Sequence, residues 1–411
     1  MKKFLPYNTI GKEEVAAVNK VMKTGVLSKF LGSSGKDFFG GPQVIKFENS
    51  IKKYFKVKYA ITVNSWTSGL IASVGALDVS PGDEIIVTTW SMCASATAIL
   101  HWNCIPVFVD IDPDTYNIDP NSIEKKITKK TKAIMTVDIF GQSCDILKIM
   151  KIAKKHNLKV ISDSAQSIGS KVDGKYSGTL ADIGGYSLNY HKHINTGEGG
   201  IIVTNNKKLY ERACLIRNHA EASINKKSNN SQLSNMVGYN FRLGELESAI
   251  GIEQLKKLKK LVAKRQNIAK ILDKELSQLK HIQVPIISKN NTHCYYLYPL
   301  NLNIKKINLT REFIVNKLKK QGVPCLIEGY VNIHTLPMYK KKIAYGKKNF
   351  PWKSNFNKNT FINKNEKLIN AEFLHNFSFI AIELCLHDFS EKDAHYIASC
   401  FKKTWKALDI R

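Results

Sequence analysis

The sequence predicts an α/β protein: a mainly parallel, seven-stranded sheet with helices on both faces, followed by a smaller C-terminal α+β domain. Two observations lead to this fold class. Short runs rich in β-branched residues alternate with stretches of helical periodicity, which is the pattern of a parallel sheet with crossover helices. The length of 411 residues also exceeds what one hydrophobic core usually holds, so two domains are expected.

The predicted strands share a short apolar core and lie at residues 59–63, 84–88, 105–110, 132–137, 158–162, 184–188 and 200–204. Helical periodicity separates the earlier strands, at residues 66–77, 91–101 and 146–156. In an open sheet of this kind, ligands bind at the carboxyl ends of the strands. The loops that follow the strands are therefore the places to look for a functional site.

The segments on either side of the predicted sheet complete the domain plan. Residues 11–25 and 44–55 show helical spacing, and residues 26–42 between them are rich in Gly, Ser and Phe, which is typical of a long functional loop. We assign residues 1–255 to the large α/β domain. Residues 256–411 are expected to form a linking helix and the small α+β domain, which ends in a further helix.

Composition excludes several classes of protein. The formal charge of +28 comes from 62 Lys and Arg residues, but only 6 of them are Arg and they are spread along the whole chain. A nucleic-acid-binding protein would cluster its cations and favour Arg for contacts with two hydrogen bonds, so no nucleic-acid partner is expected. No run approaches the roughly 18 apolar residues of a membrane helix, and the first residues lack a signal-peptide core. The eight dispersed cysteines form no metal-binding pattern and indicate a reducing, cytoplasmic environment.

Three polar loops fall at the ends of predicted strands. Residues 64–68 begin a helix, where hydroxyls and backbone amides either bind a phosphate or form a plain helix cap. Asp163 and Gln166 either cap a helix or hold a nitrogen and an oxygen of a heterocyclic ring. Lys192, before a glycine-rich turn, is either a solvated charge or a buried amine that attacks a carbonyl. In this order on one sheet, they are the parts that a pyridoxal phosphate (PLP) enzyme needs.

The motifs that contain these loops occur in a fixed order along the chain, namely NSWTSGL, PGDEIIV, PVFVDIDPDTYNIDP, FGQ, ISDSAQSIGS, SLNYHKHINTGEGG and GYNFRLGELESAIG. In this order they resemble the DegT/DnrJ/EryC1/StrS family of sugar aminotransferases. That family belongs to the fold type I, or aspartate aminotransferase, superfamily of PLP enzymes. The resemblance extends from about residue 7 to residue 400 and implies PLP as the cofactor.

The resemblance also implies roles for the matched residues. Lys192 would carry PLP as an internal aldimine and later move protons, and Asp163 would pair with the pyridinium nitrogen. Gln166 would bond the ring oxygen. Further contacts with the cofactor are expected from Ser65, Trp66, Thr67, Met92, Ala165 and Ser187. Asn240 would reach the phosphate bound by a partner subunit, which implies a homodimer with shared active sites.

Three positions depart from the usual residues of the family. Trp66 stands where Gly is common, so the phosphate loop is expected to contact the cofactor differently. Met92 aligns with the aromatic residue that stacks on the cofactor ring. Either Met92 packs there through its sulfur or Trp90 substitutes for it. Asp138 replaces a frequent His.

The substrate side is expected to include the N-terminal segment 1–42, whose loop at residues 26–42 is longer than usual for the family. Trp90, His193 and His334 are further candidates for contact with the substrate. His334 lies in GYVNIHTLPMY, which matches a region near the sugar site of relatives, and a structural loop histidine is an equally good interpretation.

The resemblance predicts a cytoplasmic aminotransferase that moves an amino group from L-glutamate to a nucleotide-linked keto sugar, usually for cell-surface polysaccharide. A related branch of the family has His at the lysine position and dehydrates sugars, so Lys192 favours amination. Two alternatives stay open. One is a PLP-dependent dehydratase or lyase of the same fold, and the other is a regulatory homologue that has lost activity. No metal site and no membrane partner are expected.

Overall fold

The computed structural model describes residues 2–33, 35–222, 236–354 and 367–410. In chain order the strands are β1 (Tyr59–Val63), β2 (Glu84–Thr88), β3 (Ile105–Val109), β4 (Thr131–Val137), β5 (Lys159–Asp163), β6 (Lys171–Val172), β7 (Lys175–Tyr176), β8 (Ile183–Ser187), β9 (Gly200–Thr204), β10 (Ile282–Gln283), β11 (Tyr298–Leu302), β12 (Leu326–Glu328) and β13 (Phe379–Ile382). The α-helices are α1 (Lys12–Met22), α2 (Pro42–Phe55), α3 (Trp66–Ala76), α4 (Ala94–His101), α5 (Pro120–Ile123), α6 (Ile146–Lys155), α7 (Lys207–Arg217), α8 (Glu245–Leu276), α9 (Ile304–Ile307), α10 (Arg311–Gln321), α11 (Pro337–Lys341), α12 (Ile369–Phe373) and α13 (Glu391–Ala407).

The central sheet has seven strands in the order β1-β9-β8-β5-β4-β2-β3. The pairs from β8 to β3 are parallel, whereas β9 is antiparallel to both β1 and β8. β1 therefore points the same way as β8. Strands such as β2, β8 and β9 are buried along their whole length, as expected where helices cover both faces. The predicted mainly parallel sheet of seven strands is confirmed.

Helices cover both faces because successive residues of a strand point to opposite sides. On β9, Ile202 packs with α3, α4 and α7, whereas Ile201 and Val203 pack with α2 and α8. α6 covers the same face as α2 and α8, beside β4 and β5. The two layers of helix enclose the strands and leave their ends as the accessible edges.

The register of the strands aligns their carboxyl ends. Asp163 of β5 is paired with Gly185 of β8. Val63 of β1 and Ser187 of β8 both pair with Gly200 of β9. The loops that follow β1, β5 and β8 therefore start at one edge of the sheet, and these are the three loops that the sequence predicts to form the site.

A smaller antiparallel sheet follows, in the order β10-β11-β13-β12. It packs with α10, α13 and the end of α8, as the predicted α+β unit requires. Leu255 and Leu258 of α8 lie in the core of the large sheet, whereas Leu272 and Leu276 lie in the core of the small one. The division predicted between residues 255 and 256 falls inside this continuous helix and stays a prediction.

Helix α8 has an apolar side and a charged side. Leu258 is buried, whereas Lys256, Lys259 and Lys260 are exposed, as expected for a solvated face. Within the described ranges, no helix is both long enough and apolar enough to cross a membrane.

The stretch 26–42, predicted as a loop, contains the short 3-10 helix Lys36–Phe39. The Nδ2 group of Asn218 donates hydrogen bonds to the carbonyl oxygens of Leu31 (2.8 Å) and Phe38 (2.9 Å). The stretch is therefore fixed against the segment that follows α7.

Candidate active site

Lys192 lies in a polar turn that joins β8 to β9. Backbone hydrogen bonds from Leu188 to Gly199 (2.9 Å) and from Thr196 to Leu188 (3.0 Å) close this turn. The lysine is only 7% exposed, and its Nζ lies 4.2 Å from the centre of the Tyr296 ring. Burial lowers the pKa of the amine to about 8, because the charged form loses its hydration. Lys192 is thus a buried amine and not a solvated charge, and in the described part of the chain its Nζ has no hydrogen-bond or ion-pair partner.

Asp163 ends β5 with an enclosed carboxylate. Its Oδ1 accepts hydrogen bonds from Trp66 Nε1 at 2.6 Å and from the N–H of Ala165 at 3.2 Å, and its Oδ2 accepts from Ser95 Oγ at 2.7 Å. Burial raises the pKa of the carboxyl, whereas the donors and the positive charge of Lys192 oppose that rise. No helix begins here, since turns lead from β5 to β6, so the helix-cap interpretation of Asp163 is wrong.

The Trp66 ring occupies a space that two glycines leave for it. A Cβ added at Gly185 would lie 2.3 Å from ring carbon Cζ3, and one added at Gly69 would lie 2.6 Å from Cε3. The indole is therefore wedged between α3 and β8, with its N–H directed at Asp163. Trp66 can offer an anion only its backbone N–H, as a glycine would. The difference from a glycine at the same position is the indole, whose N–H donates to Asp163 at 2.6 Å.

The start of α3 combines a helix cap with free backbone donors. Ser65 Oγ accepts a hydrogen bond from the N–H of Ser68 at 3.0 Å and so caps the helix. No described residue accepts from the N–H groups of Trp66 or Thr67. The positive end of the helix dipole favours an anion at such donors. Ser187, at the carboxyl end of β8, lies at the same edge of the sheet.

Gln166 is held by two protein partners. Its Oε1 accepts a hydrogen bond from the N–H of Phe140 at 2.8 Å, and its Nε2 donates to the hydroxyl of Tyr330 at 3.0 Å. An amide nitrogen carries two hydrogens, so one N–H of Gln166 remains for a ligand oxygen.

Met92 and Trp90 have different surroundings. Met92 is 53% exposed, and its sulfur accepts a hydrogen bond from the N–H of Ala94 at 3.0 Å. Trp90 is fully buried, with its ring 4.8 Å from that of Phe379 and 5.7 Å from that of Phe140. Of the two candidates for stacking on a ligand ring, Met92 is the accessible one, and Trp90 has no surface to offer a substrate.

The two candidate histidines are both engaged by the protein. His193 is fully buried, and its Nε2 donates to the carbonyl oxygen of Cys294 at 2.8 Å. Burial also holds its pKa well below the ordinary range, so the ring is neutral. His334 pairs through Nδ1 with the hydroxyl of Thr89, and its Nε2 lies 3.2 Å from Glu372 Oε1. His193 therefore cannot contact a substrate directly, and the role of His334 stays a prediction.

Asn240 lies in the segment before α8, next to Phe241, whose carbonyl oxygen accepts a hydrogen bond from the N–H of Asn64 at 2.9 Å. It is exposed and forms an isolated backbone pair with Asn218. No described residue is bonded to its side chain, so the side chain is available to a second subunit. The predicted contact with the partner's phosphate stays a prediction.

The N-terminal segment reaches the Lys192 turn directly. The hydroxyl of Tyr7 donates to the carbonyl oxygen of His193 at 2.7 Å. The N–H of Tyr7 donates to the carbonyl oxygen of Leu386 at 3.0 Å. Tyr7 therefore links the turn to the segment that follows β13.

Sequence reasoning missed four side chains of this region, namely Ser95, Arg265, Tyr296 and Tyr330. Ser95 lies near the start of the helix predicted at residues 91–101, which follows a predicted strand, and its hydroxyl at that edge of the sheet is a signal for a polar contact. The other three belong to segments that the fold brings back to the strand ends from beyond residue 255. Tyr296 and Tyr330 have the local pattern of core residues, and Arg265 that of a cation on a Lys-rich helix, so no sequence signal marks them.

Comparisons with known proteins cover nearly the whole chain. Residues 8–363 match the DegT/DnrJ/EryC1/StrS aminotransferase family. The GDP-perosamine synthase of Escherichia coli O157:H7 is 38% identical over 305 residues, which are 74% of this chain and 80% of that protein. The dTDP-3-amino-3,6-dideoxy-alpha-D-galactopyranose transaminase of Aneurinibacillus thermoaerophilus is 35% identical to this chain. The match covers 83% of this chain and 86% of that protein. The solved structure of Helicobacter pylori PseC, an aminotransferase involved in the biosynthesis of pseudoaminic acid, superposes with a TM-score of 0.81 at 28% identity, covering 99% of this chain and 100% of that one.

Proposed function

Because the chain belongs to the DegT/DnrJ/EryC1/StrS aminotransferase family, we propose that it transfers an amino group from L-glutamate to a nucleotide-linked keto sugar, with PLP as cofactor. Membership confirms the resemblance found in the motifs, and with it the fold type I architecture. The observation that carries the proposal is the buried amine of Lys192, which has no hydrogen-bond or ion-pair partner among the described residues, near the buried carboxylate of Asp163. The names of two relatives, which refer to a GDP-linked and a dTDP-linked amino sugar, support the class of acceptor.

The chemistry of the donor set fits PLP. Lys192 offers a free amine for the cofactor aldehyde, and Asp163 offers a carboxylate for the ring nitrogen. The N–H groups of Trp66 and Thr67 offer an anion site for the phosphate, and the free N–H of Gln166 suits the ring oxygen. When bound, PLP withdraws electrons from the carbon that carries the transferred amine.

We assign to Lys192 the movement of the proton at the α-carbon of the donor. A lysine does this work in its neutral form, and a pKa of about 8 leaves a useful fraction neutral near pH 7. Burial is the main cause of the lowered pKa. Cys385 and Asp163 act in the opposite direction, and the positive charge of Arg265 adds to the lowering.

We assign to Asp163 a fixed negative charge for the cofactor ring nitrogen. Trp66 and Ser95 donate to its two oxygens and so hold the carboxylate in one orientation. A carboxylate has about four acceptor positions, and three donors are present, so one position remains for a ring N–H. Both neutral donors also oppose protonation of the buried acid.

We propose that the acceptor sugar binds at the exposed side of the site. We propose that a second subunit also packs there. Met92 is the accessible side chain after β2, and His334 stays a candidate contact. Asn240 lies near two exposed apolar residues, Leu31 (56%) and Val237 (57%). A homodimer that covered this surface would bury these side chains and bring Asn240 to the partner's site.

We place the reaction in the cytoplasm. The eight cysteines are all free thiols, and most of them are buried. Free thiols in this number are typical of a reducing compartment.

The test is amination of a panel of GDP-, dTDP- and UDP-linked 4-keto and 3-keto sugars by the PLP-loaded protein with L-glutamate, followed by mass spectrometry. The expected result is one amino sugar together with 2-oxoglutarate. Loss of water from the sugar without gain of an amine would instead indicate a dehydratase. A protein that takes up no PLP would indicate a homologue without activity, and either outcome would refute the proposal.

A further inference from the structure

Arg265, on helix α8, is a buried charge without a counter-ion among the described residues. It is 5% exposed, and none of its three side-chain nitrogens has a hydrogen-bond partner within the described ranges. The carboxylate of Asp388 forms an ion pair with Lys264, with 2.5 Å between Oδ1 and Nζ. The guanidinium lies over the ring of Tyr7, at 4.5 Å from its centre. An uncompensated buried charge is unfavourable, so a site of this kind is completed by an anion from outside the protein.

Arg265 is connected to the Lys192 turn through Tyr7. Tyr7, whose ring contacts the guanidinium, donates through its hydroxyl to the carbonyl oxygen of His193, the residue after Lys192. The positive charge of Arg265 also adds to the lowering of the Lys192 pKa. Tyr7 thus connects the guanidinium to the turn that carries the reactive lysine.

We propose that Arg265 binds the α-carboxylate of the amino donor, an inference that rests on the proposed aminotransferase function. A planar guanidinium binds a carboxylate through two parallel hydrogen bonds. In an α-amino acid the carboxylate is attached to the carbon whose proton Lys192 moves. An arginine beside the amine therefore fixes this carbon within reach of Lys192, and the incoming carboxylate supplies the missing counter-charge.

Two other anions of the reaction fit this position less well. The phosphate of the cofactor is matched by the free N–H groups at the start of α3, on Trp66 and Thr67. The diphosphate of a nucleotide sugar is flanked by two bulky groups and needs an open surface, whereas Arg265 is almost fully enclosed. A single carboxylate is the anion that fits an enclosed guanidinium.

The experiment measures binding of 2-oxoglutarate, which carries the same carboxylates as the donor, to the PLP-loaded protein by calorimetry. Arg265→Gln should raise the Kd at least about tenfold, since it removes a hydrogen-bonded charge pair. Arg265→Lys should keep part of the affinity. The control is Arg212→Gln, since Arg212 pairs with the exposed Asp78 and with carbonyl oxygens at the end of α3, and its Kd should equal that of the wild type. In single turnovers, the preference of the wild type for L-glutamate over 4-aminobutyrate, which lacks the α-carboxylate, should be lost in Arg265→Gln.

Binding of GDP, dTDP and UDP to the same variants separates the possible outcomes. An unchanged Kd for 2-oxoglutarate, an equal loss for 2-oxoglutarate and the nucleotides, or a loss for the nucleotides alone would each overturn the proposal. A wild type that does not bind 2-oxoglutarate would overturn it as well. If 2-oxoglutarate binds through Arg265 but no sugar of the panel is aminated, the acceptor assignment fails and the carboxylate site stands.

Discussion

Arg217 and Arg265 are both buried, at 0% and 5% exposure, but their surroundings differ. Arg217, at the end of α7, forms an ion pair with Glu48 at 2.7 Å and donates to the carbonyl oxygen of Thr62 at 3.3 Å. Arg265 faces the ring of Tyr7, and no carboxylate of the described residues pairs with it. The first charge is balanced by the protein itself. The second is balanced only when a ligand is present, which separates a structural arginine from a binding one.

Two buried aspartates repeat this contrast. Burial raises the pKa of both Asp138 and Asp163. The oxygens of Asp138 accept hydrogen bonds from Ser143, Ser162, Ser164, Ser167 and the N–H of Cys144. Those of Asp163 accept from fewer donors, and its neighbouring charge is the unpartnered amine of Lys192. Asp138 is therefore surrounded by protein donors, whereas Asp163 keeps an acceptor position for a ligand.

The largest effect is expected at Lys192. Lys192→Ala removes both the amine that holds the cofactor and the group that moves the proton, so amination should fall by about 10⁴-fold or more. The measurement is formation of the amino sugar under single-turnover conditions. The control is Lys207→Ala, because this lysine is 74% exposed and follows β9 at the edge of the sheet opposite Lys192, and its rate should match the wild type. Amination retained by Lys192→Ala would remove the distinction between this edge of the sheet and the rest of the molecule.

The second largest effect is expected on the stability of the protein, from a change to the partner of Arg217. Glu48→Gln keeps the shape of the side chain but leaves Arg217 buried without a counter-charge. The free energy of unfolding should fall by about 3–5 kcal/mol, measured by urea denaturation. The matched change in an exposed pair is Glu211→Gln, whose partner Lys207 lies 3.7 Å away, and it should cost less than about 1 kcal/mol.

The amination rate of Glu48→Gln tests whether Arg217 has only a structural role. Below the unfolding transition, Glu48→Gln should aminate the sugar at the wild-type rate, because Glu48 and Arg217 contact neither Lys192 nor Asp163. A large loss of turnover in folded protein would show that the Arg217 region takes part in the reaction and is not only structural.

Much of the fold could be predicted because it is written in local patterns. Buried strands appear as apolar runs, and helical periodicity marks the crossovers between them. The errors have long-range causes. The predicted helix at 91–101 begins only at Ala94, since the N–H of Ser91 donates to the carbonyl oxygen of Val331 at 3.2 Å. No local pattern could reveal that contact with a distant segment.

The site residues that directly follow a strand could be predicted from the sequence. Lys192 and Asp163 follow apolar strands directly, so their placement came from the alternation of strand and helix. Trp90 follows a strand in the same way, but Phe379, from the small sheet, packs against its ring and encloses it. Arg265 lies on a helix rich in Lys, and nothing in the local sequence distinguishes it from those cations. Its importance comes from the lack of a carboxylate partner among the described residues, which only the folded structure can show.

The smallest effect is the pH dependence of the Lys192 amine, with a pKa of about 8. In cofactor-free protein, the rate of PLP uptake depends on the neutral amine. It should therefore rise about tenfold per pH unit up to pH 8 and level off above it. Arg265→Gln should move this inflection to higher pH, since the guanidinium is one cause of the lowered pKa. Arg217→Gln, if folded, should leave it unchanged. An inflection near that of an ordinary lysine, or one that Arg217→Gln moves as much as Arg265→Gln does, would show that the two buried arginines do not differ in the way proposed.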